Sequence, residues 1–195
     1  MDRVRCFGTS ELYARYHDEE WGVPCHDDRR HFEMICLEGA QAGLSWETIL
    51  RKREGYREVF HGFEPERVAA MTDVELDAAV ANPAIVRHRG KIESVRRNAR
   101  AFLDLRSREG GFDAWAWSFV GGRTRVGDWE RAQDVPAVTP ESTALSKALR
   151  RAGFGFVGPT TCYAYMQAAG LVDDHWGACW IRRERRGLTP PARGS

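Results

Sequence analysis

The chain has 195 residues, 43% hydrophobic and 29% charged, which fits one globular domain, or one with a small extension, and allows a sizeable core. The formal net charge is +1, so no global polyelectrolyte signature points to nucleic acid; any basic surface must be local, and charge neither demands nor excludes DNA. Five cysteines at irregular spacing argue against a disulfide framework, the opening MDRVRCFG lacks an apolar signal-peptide core, and no run approaches a membrane span, so a reducing cytoplasm is the expected compartment.

Residues 1–9 read as an irregular arm. A helix follows, with Ser10 as its cap and Leu12, Tyr13 and Tyr16 along it, and Trp21, Gly22, Val23 and Pro24 signal a turn. The next stretch, FEMICLEGAQAGLSW from Phe32 to Trp46, is nearly uncharged. On a helix, Phe32, Ile35, Cys36, Gly39 and Ala40 make one apolar face while Met34, Leu37 and Gln41 cover most of the other, so this helix is expected to be buried nearly all round. Asp27 and Asp28 are its caps. A glycine-permitted break at AGLS leads to Ser45 as the cap of a short helix from Trp46, running into a basic, loop-like RKREGY.

Pro65 to Met71 reads as a helix, and TDVE at 72–75 is a capping box for another that Asn82 and Pro83 close. The longest helix is expected over Arg89–Arg108, with Ile92, Val95, Ala99, Phe102 and Leu103 facing the core and basic residues opposite. Gly110 and Gly111 break it, and Asp113 caps a short aromatic helix holding Trp115, Trp117 and Phe119. Residues 121–138 read as a long loop. Thr139 and Pro140 open a helix whose buried stripe is Ala144, Leu145, Ala148 and Leu149; Gly153 ends it, and another runs from near Pro159 to Gly170. The Arg-, Gly- and Pro-rich tail beyond residue 182 reads as disordered. Sustained period-2 alternation is absent, so the expected fold class is all-α.

Chemistry concentrates at four places. Glu38 sits at the centre of the apolar stretch; burying its carboxylate costs several kcal/mol unless something pairs with it, so it is either salt-bridged in a core or waiting for a ligand. Tyr13, Tyr16, Trp21, Phe32 and Trp46 lie near it in sequence. Rings flanking a carboxylate make a slot for a planar cationic group such as an alkylated purine, though each ring alone fits an ordinary core. GFGFVGPT, with Gly153, Gly155, Gly158 and Thr160, is a glycine-bounded turn between two helices; it is either a phosphate cradle at a helix N-terminus or a plain interhelical turn. His175 and Cys179, four apart, put two zinc-type ligands on one face of a helical segment, and Cys6 with His17 can complete a closed, structural Cys2His2 set; the alternative is four unliganded residues. RHRGK, Arg87 to Lys91, offers local positive charge for phosphates or a solvated helix start.

These segments together resemble the 3-methyladenine DNA glycosylase I family. The matching runs are RC at 5–6, LYARYHDEEWGVP from Leu12, FEMICLEGAQAGLSWETIL from Phe32, RHRGKI from Arg87, ALSKALRRAGFGFVGPTTCYAYMQAAGLVDDH from Ala144, and Cys179. The resemblance implies a helix-hairpin-helix DNA glycosylase fold: one helical domain over residues 1–182, whose segments 1–20 and 171–182 are stapled by one structural zinc on Cys6, His17, His175 and Cys179, with no organic cofactor. It places base recognition on Glu38, stacking on Tyr16 and Trp46, the pocket lining on Trp21 and Tyr13, and the hairpin on GFGFVG. Two departures stand out. Many relatives carry tryptophan two residues after the first cysteine, where this chain reads Cys6, Phe7, Gly8, and asparagine is frequent where Asp173 stands.

The function so implied is flipping of N3-alkylated adenine from duplex DNA and hydrolysis of its glycosidic bond, by a monomer with no membrane partner. Glu38 accepts from the amino edge of a base sandwiched by Tyr16 and Trp46, the tip Gln41, Gly43 and Leu44 fills the gap in the stack, and Asp173 or Asp174 is the candidate for orienting water. The rivals are a non-catalytic binder of alkylated bases and a zinc hydrolase using Glu38 as its base; the second needs an open metal position that a four-ligand set lacks.

Overall fold

The computed structural model describes residues 3–8 and 10–185 and is mostly helical. Its centre is α2 (Asp28–Gln41), which buries Phe32, Ile35, Cys36, Leu37, Glu38, Gly39 and Ala40, as expected for a stretch apolar on both faces. Asp27 caps it by accepting from Arg30 N–H, an interaction that stabilises a helix by about 1 kcal/mol. Around α2 pack α3 (Trp46–Val59), α6 (Arg89–Glu109), α7 (Phe112–Ser118) and α9 (Pro159–Ala168). Before α2 comes α1 (Glu11–Glu19), capped by Ser10; α4 (Pro65–Ala69) and α5 (Asp73–Ala81), the latter opened by a complete Thr72–Glu75 capping box, lie against α6. The helix α8 (Pro140–Arg151), capped by Thr139, packs on α9, to which the glycine-rich turn links it, and α10 (Trp180–Arg185) closes the described chain.

The structure departs from the sequence reading at several places. RKREGY is not a loop: α3 continues through it to Val59, because Arg, Lys and Glu are good helix formers and Glu47–Arg51 and Glu54–Arg57 pair along the surface. Gly55 marks a close approach, since a Cβ there would lie 2.6 Å from the Ala84 carbonyl oxygen. On α6 the buried stripe ends on Leu105 while Leu103 is half-buried, and Lys91 is buried rather than solvated. On α8 Ala144 is exposed and Ser142 and Ser146 are buried; the Ser146 hydroxyl donates to the Val157 carbonyl, which hides its polarity.

Asp113 does not cap α7. The Asp28 carboxylate does so from a distance, accepting from Phe112 and Asp113 N–H, while Asp113 itself faces His31 and His26. Within 121–138 a two-residue strand, β1 (Arg125–Val126), pairs in parallel with β2 (Val172–Asp173), Arg125 opposite Val172; a pair this short has no periodicity to read. The C-terminal segment stays helical to Arg185, beyond the expected boundary at 182, because Arg182 is buried and Arg185 donates to the Asp173 carboxylate. The expected disorder of 186–195 lies outside the described residues. No described helix is long and apolar enough to cross a membrane.

Candidate active site

A cavity of about 230 Å³ opens beside Glu38. Its walls come from six places: Phe7 of the arm, Tyr13 and Tyr16 of α1, Trp21 just after it, Glu38 and Gln41 of α2, Trp46 at the first turn of α3, and Ala164 and Gln167 of α9. Glu38 is 4% exposed, and its Oε2 has no hydrogen-bond partner. Burial pushes its carboxyl up to about 8. Trp46 Nε1 is also buried and unpartnered, so two of the four such side-chain atoms among the described residues belong to the lining of this one cavity. A larger cleft of about 400 Å³ lies between β1 and the start of α8, but none of its lining residues carries such an atom.

The rings are arranged differently from the expected sandwich. Tyr16 and Trp46 touch each other, with centroids 5.4 Å apart and planes at 54°. A base held between them needs a gap of roughly 7 Å, two carbon contact distances of about 3.5 Å, so the two must part or the base stacks on one ring. Phe7 stacks on Tyr13 at 4.6 Å and meets Trp21 edge-on at 4.9 Å. The phenyl ring thus supplies the wall on the side of the N-terminal arm. Burial, with Glu38 and Glu20 nearby, also raises the Tyr16 hydroxyl, which keeps its proton.

Beyond Glu38 the chain forms an exposed tip. Gly43 adopts φ +79°, Leu44 is 41% exposed, and Ser45 caps α3 by accepting from Thr48 N–H. Lys91 fixes the base of this tip, donating to the carbonyls of Ala40 at 2.9 Å and Ala42 at 2.5 Å. Those contacts remove Lys91 from the phosphate-binding surface expected of RHRGK; Arg87 stays exposed.

At the hairpin, Gly153 has φ +100° and Phe156 φ +56°. Two of the expected phosphate donors are engaged internally: Gly153 N–H donates to Arg150 O, and Gly155 N–H to Asn98 Oδ1, whose amide nitrogen returns a bond to Gly155 O. Gly158 precedes α9 with no side chain capping the helix, and Thr160 is exposed in its first turn. The turn presses on α2 at Gly39, where a Cβ would come within 3.2 Å of Phe156 Cβ, so cradle and cavity share one wall.

Ligand atoms of Cys6, His17 and Cys179 lie within 4.8 Å of one another. The segment carrying His175 and Cys179 is a loop, not the helical turn their spacing suggested. The His175 ring stands 5.0 Å from that of His17, and its Nε2 is buried without a partner. Both imidazoles have Nδ1 against a carboxylate, Asp18 at 2.8 Å and Asp173 at 2.6 Å, which turns each Nε2 towards the cluster: that of His17 accepts from Cys6 N–H at 3.1 Å and lies 3.4 Å from Cys179 Sγ, and that of His175 has no partner. Burial raises the Asp173 carboxyl, but His175 and Arg185 outweigh it and hold the group at about 2.

Comparison with known proteins places this arrangement. A methyladenine glycosylase family profile matches residues 6–183. The chain belongs to the methyladenine glycosylase family. It is 49% identical over 178 residues to the DNA-3-methyladenine glycosylase of Haemophilus influenzae, covering 90% of this chain and 96% of that one. A crystal structure of 3-methyladenine DNA glycosylase I superposes with a TM-score of 0.89 at 49% identity, covering 92% of this chain and 98% of the other. The Staphylococcus aureus enzyme, solved to describe 3-methyladenine recognition, gives 0.87 at 40% identity over 89% and 92%.

For a methyladenine glycosylase, the residues expected at the base pocket, Glu38, Tyr13, Tyr16, Trp21 and Trp46, meet at one cavity, and Gln41, expected on the tip, lines it with them. It missed Phe7, Ala164 and Gln167. The one available signal was Gln167 itself, the last polar side chain in the otherwise apolar run AYMQAAG. Neither candidate for orienting water lines the cavity: Asp173 is held by His175 and Arg185, and Asp174 by Trp129, Tyr163 and Gln167.

Proposed function

We propose that this chain is a DNA-3-methyladenine glycosylase, which takes N3-alkylated adenine out of double-stranded DNA and hydrolyses its N-glycosidic bond. The observation that carries the reading is Glu38, a carboxyl buried in an aromatic cavity with Oε2 unpartnered. Burial among these apolar groups favours its protonated form. A cationic ring favours the carboxylate and expels that proton, so charge pairing offsets the desolvation that raised it. Neutral adenine offers no such compensation, and each pKa unit of difference amounts to about 1.4 kcal/mol of discrimination.

The chemistry is undemanding once the base is flipped. As the C1′–N9 bond breaks, its electron pair neutralises the methylated ring, which leaves uncharged. A water oxygen bonds to C1′ and releases one proton to solvent. Glu38 steadies the positive charge and accepts from the exocyclic amine, while Tyr16 and Trp46 offer π-faces to the ring. Gly158 and Thr160, at the uncapped start of α9, supply backbone donors for a phosphate, in the manner of a helix-hairpin-helix. Exposed Leu44, on the tip held by Lys91, fills the space the base vacates.

Cys6, His17 and Cys179 already cluster as zinc-type donors, and His175, its ring 5.0 Å from that of His17 and its Nε2 orphaned in the protein interior, is the fourth ligand of one zinc ion. Bound there, zinc supplies a structural cross-link between the arm and the C-terminal segment. These residues hold Phe7 and Trp21, their near neighbours, in the cavity wall.

The test is base release from methylated duplex DNA. Glu38→Gln is expected to lower the rate by at least about 100-fold, the usual size of a lost charge-stabilising group. Full release by that variant would overturn the role of Glu38. Wild-type protein that holds alkylated DNA without releasing a base would be the non-catalytic binder instead.

A further inference from the structure

Gln167 projects from α9 into the cavity wall beside Glu38, and its surroundings leave its amide one orientation. Its Nε2 donates to Asp174 Oδ2 at 2.8 Å. Asp174 is 2% exposed and accepts from three neutral donors, the other two being Tyr163 Oη at 2.6 Å on the same oxygen and Trp129 Nε1 at 2.6 Å on Oδ1. A carboxylate so placed accepts only, so the amide must turn its nitrogen towards it. The other atom, Oε1, receives no hydrogen bond from any described residue. The Gln167 backbone is fixed as well, since its carbonyl accepts from Gly22 N–H at 2.9 Å, next to Trp21 of the same cavity.

We propose that Gln167, oriented by Asp174, is a specificity-determining residue: its side-chain carbonyl and Glu38 accept the two hydrogens of one exocyclic amine on the flipped base. This rests on the glycosylase reading above. Adenine carries an amino donor at C6, where guanine carries a carbonyl acceptor. Two acceptors converging there welcome the first and repel the second, because a buried acceptor facing another acceptor loses its hydrogen bond and its hydration together. Selection among N3-methylated purines then lies in the orientation of one amide, set from behind by a carboxylate that never reaches the substrate.

The experiment compares kcat/KM for release of 3-methyladenine and 3-methylguanine from methylated duplex DNA by the full chain, Gln167→Leu and Asp174→Asn. Thermal unfolding verifies that each folds, and Gln167→Met replaces the leucine variant if that one does not. Wild type is expected to prefer 3-methyladenine. Gln167→Leu should lower that preference about tenfold, mainly by losing 3-methyladenine. In Asp174→Asn the new amide keeps an acceptor for Trp129 but turns N–H towards Gln167, which must flip and present its own N–H to the base; the preference should fall again. An equal loss on both bases would mean a structural role and overturn the inference, as would an unchanged ratio in either variant. Wild type that releases no base sinks the glycosylase reading with it, whereas active wild type with an unmoved ratio sinks this inference alone.

Discussion

The Lys91 ammonium closes the C-terminal end of α2, lying 2.9 Å from the carbonyl oxygen of Ala40 and 2.5 Å from that of Ala42. The last carbonyls of a helix carry the negative end of its dipole and lack partners within the helix, so a cation there satisfies both needs. Burial lowers the Lys91 pKa. What the amine holds is the start of the Gln41–Leu44 tip, one turn from Glu38.

Lys91→Met should therefore destabilise the fold by about 2 kcal/mol, the worth of hydrogen bonds to a charged group. It should slow base release while leaving the salt dependence of DNA binding unchanged. Arg87→Ala should do the reverse, weakening binding and reducing the slope of log K against log salt by about one. Titrations of both variants across a salt series check this; a reduced slope for Lys91→Met would return Lys91 to the phosphate surface.

Gly55→Ala sets two effects against each other inside α3. Alanine gains about 1 kcal/mol in helix propensity over glycine. Its Cβ would sit 2.6 Å from the Ala84 carbonyl oxygen, which is backbone and cannot swing away. Overpacking of this kind costs typically 1–3 kcal/mol, so the net outcome is destabilisation of about 1 kcal/mol. Urea unfolding measures it; a stabilised variant would show that the Asn82–Val86 segment yields freely.

Gly55 also shows where reading a sequence stops. In RKREGY a glycine among charges looked like the end of a helix, whereas the contact that requires glycine comes from a segment about thirty residues away. The same applies to α7, capped by Asp28 from α2, and to β1, whose partner follows α9. Elements whose cause is local were legible: the Ser10, Asp27, Ser45 and Thr139 caps, the Thr72–Glu75 box, and the all-round burial of α2. At the site, Glu38 and the rings near it in sequence were legible and Gln167 was not, because its meaning depends on Asp174 and on a cavity that forms only when α1, α2, α3 and α9 meet.

The raised Glu38 carboxyl has a pH signature in stability. Below about 4.5 the folded and unfolded chains both hold the proton and the group contributes no pH dependence. Between about 4.5 and about 8 the unfolded chain gives it up while the folded chain keeps it, so stability falls as pH rises and levels off above about 8. Glu38→Gln lacks this loss. The stability of Glu38→Gln relative to wild type should be small near pH 5, grow to a few kcal/mol by pH 8, at about 1.4 kcal/mol per pKa unit, and then stay level. Denaturant unfolding across that range decides it, and a difference that does not change from pH 5 to 9 would mean the folded carboxyl is ionised throughout.

Zinc content separates a closed site from an open one. Cys6, His17 and Cys179 already cluster, so three ligands alone would leave a fourth position for water and revive a hydrolytic metal. His175 carries its own signature of a ligand, a buried Nε2 with no partner and an Nδ1 held by Asp173. Purified protein should hold about one zinc per chain, and His175→Ala should lose most of it, as removal of one ligand from a tetrahedral set does. Chelation should lower the melting temperature by roughly 6–12 °C, the shift for a loss of about 3 kcal/mol in a chain of this size. If His175→Ala retained a full complement of zinc, the ion would rest on three ligands and the staple would have to be redrawn as a site open to substrate.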